Sequence, residues 1–103
     1  MYSEETIDLK YVPFPNPDVI LQDEGNGNAV LVNFDTGTAV SLNAVGRFIW
    51  EKADGNLSVS GIIDSIEQSF LSVPDDISED VTMLVKVLKL KGIFGVEVEV
   101  KDI

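Results

Sequence analysis

Residues 76–94, DISEDVTMLVKVLKLKGIF, constrain the fold more than any other stretch of the chain. They form its longest strongly periodic segment, and helix signals bound them at both ends. Asp76 is placed to cap the first turn, with Glu79 three residues later in the D-x-x-E form of a capping box. Gly92 follows the last periodic residues, where a left-handed backbone costs least, and Lys89 and Lys91 sit near the negative end of the helix dipole. At about 100° per residue, Ile77, Val81, Leu84, Val85 and Leu88 share one face, while Met83, Val87 and Leu90 form a second. One apolar face is enough to pack a helix onto a small core. The second stripe is therefore either covered by the sheet or the terminal strands, or it walls a groove for a peptide or protein.

The 103 residues give room for one domain, spanning 1–103. With 45% hydrophobic and 24% charged residues, the chain has the means to bury a core and lacks the composition of a disordered one. No apolar run approaches the roughly 18 residues that span a bilayer, and the acidic start, MYSEETIDLK, lacks the apolar stretch of a secretory signal. There is no cysteine, so disulfides are excluded and the cytoplasm is the expected location. Without cysteine or histidine there is no thiolate nucleophile, no imidazole base and no zinc site of the usual N/S type. The carboxylates Glu79, Asp80, Glu97 and Glu99 have the spacing of solvated faces, and none is paired for general acid–base work. The expectation is a binding protein with no catalytic residues, no cofactor and no metal. Seven basic residues against 18 acidic ones give a net charge of −11, the reverse of the basic footprint that phosphate neutralisation demands. Basic peptides or basic protein surfaces suit such a domain better.

The remaining elements follow from periodicity and turn chemistry. Residues 7–12 (IDLKYV) alternate as a short strand, and Pro13, Pro15 and Pro17 then impose an extended connector. Residues 19–22 form the next strand, which ends in a hairpin at Gly25-Asn26-Gly27-Asn28. Residues 29–34 are the strongest strand, with Val30, Val32 and Phe34 on one face, and a turn at Asp35-Thr36-Gly37 returns the chain through residues 38–42. Three strands joined by two tight turns make an antiparallel meander. Asn43 then caps a helix running to Lys52, which Asp54-Gly55-Asn56 stops. Ser58 or Ser60 opens a second helix carrying Ile62, Ile63, Ile66 and Phe70, and Pro74 precedes the helix at 76–94. Val96, Val98 and Val100 alternate with acidic and basic residues as a final strand.

Two motifs with functional look-alikes resolve on their context. Gly25-Asn26-Gly27 lies between two strands, whereas a phosphate-cradling loop joins a strand to a helix N-terminus. Calcium loops counted from Asp23 or Asp54 place Phe34 or Ser65 where the bidentate glutamate belongs. Trp50 lies off the stripe of its helix, as an aromatic covering a neighbouring edge or as a partner contact.

The ordered set from residue 30 to residue 94 resembles the PqqD-like family of peptide-recognition domains. It comprises the strand pair LVNFDTGTAVSLN, the helix from Asn43 to Phe48-Ile49-Trp50, and the Asp54-Gly55 turn. The Ile62-Ile63 helix follows, and then Glu79-Asp80-Val81 leading to Leu88 and Lys91-Gly92-Ile93-Phe94. The resemblance implies a winged-helix-like α+β domain, a three-stranded meander followed by three helices, here with extra terminal strands. It also implies a peptide chaperone, as in PQQ biosynthesis: a module that holds the leader of a ribosomally made precursor and presents it to a radical S-adenosylmethionine (SAM) enzyme. Carried onto this chain, the leader lies along Thr38, Ala39, Val40 and Ser41 and against the third helix, where Met83, Val87 and Leu90 are the expected contacts. The terminal strands at 7–12 and 96–100 fall outside the resemblance, and they pair with each other, extend the sheet, mediate a homodimer or occupy the leader's edge.

Two other readings compete. A winged-helix DNA-binding regulator shares the helix order but needs a basic recognition helix, and SGIIDSIEQSF carries Asp64 and Glu67 with no lysine or arginine. A small dimeric interaction protein needs only the terminal strands to seal its edges.

Overall fold

The turn signals deliver the meander. In the computed structural model, which describes residues 8–95, β1 (Val19–Gly25), β2 (Asn28–Asn33) and β3 (Thr38–Leu42) form an antiparallel sheet in that order. Gly25, Asn26 and Gly27 all have positive φ, as the first hairpin requires, and Gly37 does so in the second. Three helices follow: α1 (Ala44–Lys52), α2 (Val59–Ser69) and α3 (Ile77–Leu90). Asn43 caps α1 by accepting from the Gly46 amide at 2.8 Å, and Ser58 caps α2 by accepting from the Gly61 amide at 3.1 Å.

At α3 the expected capping box does not form. Asp76 has ψ 25°, and its side chain makes no cap hydrogen bond. Its carbonyl instead accepts from the Glu79 and Asp80 amides, so backbone starts this helix where a side chain was expected to. Gly92 closes the helix with φ 75°, as the sequence anticipates.

The core lies between the sheet and the helices. Leu31 and Leu42 from the strands meet Ile49 of α1, Val59, Ile62, Ile63 and Ile66 of α2, and Ile77, Val81, Val85 and Leu88 of α3. Leu84, expected on the same face of α3, is only half-buried at its margin. In β2 the buried face is Ala29, Leu31 and Asn33, while Val30 and Val32 are half-buried and Phe34, just past its end, is 64% exposed. Both faces of this strand are apolar, so alternation alone does not choose the face that the helices cover. Trp50 stacks on Phe94, ring centroids 5.7 Å apart, and covers the end of the core.

The expected strand at residues 7–12 is not one. Residue 7 lies outside the described residues, and residues 8–12 form a turn followed by an extended strap. The carbonyls of Leu9 and Tyr11 accept from the Ser60 and Val59 amides, orphan donors at the start of α2. The strap continues through the prolines, where Pro13 accepts from Gly55, Phe14 from Gly95, and the Asn16 amide donates to Ile93. An apolar–polar alternation marks an extended chain, and here the partner of that chain is a helix terminus. The strand expected at 96–100 lies outside the described residues.

Asn33 ties the third helix to the sheet. It is 1% exposed; its amide donates to the Gly92 carbonyl at 2.9 Å, and its carbonyl accepts from the Asp35 and Thr36 amides. Asn16 gives Gly92 a second donor, also at 2.9 Å. Asn33 pairs with Thr38 in the sheet, so the end of α3 is held beside the start of β3.

Candidate functional site

β3 is an edge strand: among the described residues it pairs with β2 alone. Which of its backbone groups face outward follows from hydrogen-bond phase. The Phe34 amide donates to Asp18 across the β1 side, so even-numbered residues of β2 point their amides toward β1. Ala29, Leu31 and Asn33 then bond toward β3, where their partners are Leu42, Val40 and Thr38. Ala39 and Ser41 are left with N–H and C=O directed to the open edge, a spacing that accepts another strand.

Beside the far end of β3 lies a cleft of about 400 Å³. Ser41, Leu42 and Asn43 form one wall, Val45, Gly46 and Ile49 of α1 the floor, and Pro74, Ile77, Asp80, Val81 and Leu84 the opposite wall. It is mostly apolar, and Asp80 is the charged side chain in its lining. Because the start of α3 borders Leu42 and its end is tied to Asn33, the helix runs antiparallel to β3 with the cleft opening between them.

An open strand edge over an apolar cleft, in a meander followed by three helices, is the arrangement expected of a peptide-recognition domain. The family pattern of Coenzyme PQQ synthesis protein D (PqqD) matches residues 28–93. The chain belongs to the PqqD family. The matched stretch contains β3, all three helices and every residue that borders the cleft. Among curated proteins, none matches the chain. Among solved structures it is similar to TbiB1 in complex with the TbiA(beta) leader peptide, with a TM-score of 0.67 and 21% identity over 84% of this chain and 99% of that one. At that identity the likeness is one of fold.

In this PqqD-family chain, Thr38, Ala39, Val40 and Ser41 all lie on the edge strand, with Ala39 and Ser41 exposed and Thr38 and Val40 half-buried. The three residues of α3 expected to meet a peptide lie on its exposed side. Met83 and Leu90 are each 67% exposed, Val87 is half-buried, and none of the three borders the cleft. Asp80 and Leu84 face it instead, and Val87 continues their edge of the helix at the i, i+4, i+7 spacing. That stripe was available in the sequence. Its leading carboxylate made it look like a solvated face.

Charges frame the cleft asymmetrically. Arg47 on α1 bridges Asp23 at 3.3 Å and Glu51 at 3.2 Å, so it is engaged outside the cleft. The Gly25 amide and Arg47 hold the Asp23 carboxyl below its ordinary value of 3.8, and Glu51 leads the causes that raise Arg47. Among the described residues, no group of three or more acidic side chains is arranged to hold a metal ion, and no helix is long and apolar enough to cross a membrane.

Proposed function

We propose that the chain is a leader-binding adaptor: one unit, residues 1–103, that takes the leader of a ribosomally made precursor peptide as an added strand on β3. It presents that peptide to a modifying enzyme of the radical SAM type in the cytoplasm and performs no catalysis itself. The observation that carries this reading is the edge of β3, which among the described residues no further strand covers, beside an apolar cleft. Membership of the PqqD family supports it, and so does the fold shared with a protein solved with a leader peptide. Main-chain bonds to Ala39 and Ser41 give sequence-tolerant affinity, and side chains entering between Leu42 and Leu84 give selectivity.

The test is amide hydrogen exchange with the leader of a short peptide encoded beside this chain's gene. In the free protein, the Thr38, Val40 and Leu42 amides should be slow and those of Ala39 and Ser41 fast. Binding should slow Ala39 and Ser41 by at least about tenfold while hardly changing Val40. A leader that binds without protecting these two amides rules out strand addition.

The same open edge also favours a second reading, edge-to-edge pairing of two copies in a homodimer. Sedimentation without peptide distinguishes it, since a dimer's apparent mass rises with concentration and the adaptor's does not. DNA binding gains nothing from the helices, because α2 carries Asp64 and Glu67 and no cation.

A further inference from the structure

Resting on the strand-addition reading, the geometry points to a groove that selects its peptide by charge polarity: basic at the peptide's N-terminal end, apolar in the middle, acidic at its C-terminal end. Asp80, Leu84 and Val87 of α3 and Lys91 at its C-cap recur at i, i+4, i+7 and i+11, one continuous stripe along the helix. Asp80 and Leu84 border the cleft directly. Lys91 immediately precedes Gly92, whose carbonyl is bound by Asn33, the sheet partner of Thr38. The acidic end of the stripe therefore lies beside Leu42, and its basic end beside Thr38.

The charges around these two ends are consistent with that polarity. Glu79 shares the first turn of α3 with Asp80, Asp76 stands at its N-cap position, and among the described residues no lysine or arginine lines the cleft. The cation nearest in sequence to the β3 end of the cleft, Arg47, is engaged by Asp23 and Glu51. At the other end, Lys89 lies over the Tyr11 ring, 4.7 Å from its centroid, so among the described residues Lys91, at the C-cap of α3, is the lysine that remains for a ligand. Asp80 and Lys91 are both exposed, which leaves them able to pair with an incoming side chain.

Dimensions set the spacing in the peptide. Eleven residues of helix rise about 16 Å. A strand covers that distance in roughly five residues, and side chains on one face recur at every second position. A strand added antiparallel, as in the rest of this sheet, starts beside Leu42 and ends beside Thr38. Its basic residue then precedes its acidic residue by roughly four to six positions, with apolar residues between them meeting Leu84 and Val87.

A library of random strand-length peptides, selected on the full chain and on the double variant Asp80→Lys with Lys91→Glu, tests this. Selected peptides should carry the basic-to-acidic order on the native chain and the reversed order on the variant. A matched pair of such peptides should differ about tenfold in affinity, a preference that shrinks in about 0.5 M salt. Circular dichroism of the variant checks that its fold is retained. Selected peptides that protect Ala39 and Ser41 but show no charge order, or the same order on both chains, overturn the polarity and leave strand addition standing. If no peptide protects those amides, strand addition fails as well.

Discussion

Asn33 shows how much one side chain settles here. Its amide and carbonyl make three bonds that join the β2–β3 turn to the end of α3, and it is fully enclosed. Replacing it with alanine removes a donor from the Gly92 carbonyl and the acceptor for two turn amides. A loss of about 1–3 kcal/mol in denaturant unfolding is expected. Asn16→Ala should cost less, because Asn16 is half-buried and water can replace its bond to Gly92. Asn33→Asp keeps the acceptor but turns a carboxyl toward the Gly92 carbonyl, in a place where burial disfavours charge. Burial and the facing Gly92 carbonyl raise its folded pKa above the ordinary carboxylate value, against the pull of the Asp35 and Thr36 amides. The sign follows: at low pH the acid is neutral and can donate, and stability falls as pH rises through and beyond the unfolded value. Unfolding curves of Asn33→Asp at acidic and neutral pH check this, and a pH-independent deficit would mean that the contact with Gly92 is not what the residue supplies.

At the scale of elements, the strand edge makes a sharper prediction than any single contact. Proline lacks an amide hydrogen and is tolerated in a strand only where that hydrogen points away from the ladder. Ser41→Pro should leave the fold intact and abolish peptide binding, whereas Val40→Pro, which breaks a bond to Leu31, should destabilise the sheet itself. If Ser41→Pro unfolds the chain, the assigned hydrogen-bond phase is wrong; if it binds peptide normally, the peptide does not add to this edge. The phase came from the Phe34–Asp18 bond, a contact that no sequence pattern records. Other elements were legible because local chemistry dictates them: Asn43 caps α1, and the positive-φ residues at 25–27 turn the first hairpin. What the sequence withheld depends on neighbours. In β2 both faces are apolar, so only the position of the helices decides that Leu31 is core and Phe34 is not. In the strap at 8–12, alternation describes an extended chain without saying that its carbonyls end on α2. In α3 the periodicity isolates Met83, Val87 and Leu90, yet the residues bordering the cleft beside Leu42 include Asp80 and Leu84, a placement set by the elements packed around the helix.

Over the whole molecule the dominant property is charge. Eighteen acidic residues oppose seven basic ones, and Arg47, Lys52 and Lys89 are already engaged with carboxylates or aromatic rings. The resulting field extends about 10 Å at ordinary ionic strength and acts on a partner before any contact forms. Strand bonds and apolar contacts in the cleft act only after docking. Salt should therefore slow association with a basic peptide or enzyme surface by about tenfold or more between roughly 0.05 and 0.5 M, while dissociation changes much less. Stopped-flow mixing across that range separates the two rates. Asp80→Asn removes one charge of eighteen, so it should weaken discrimination at the cleft and leave the salt slope of association nearly unchanged. If that single substitution flattened the slope, steering would belong to the cleft alone; if association were independent of salt in the native chain, the acidic surface would have no part in finding the partner.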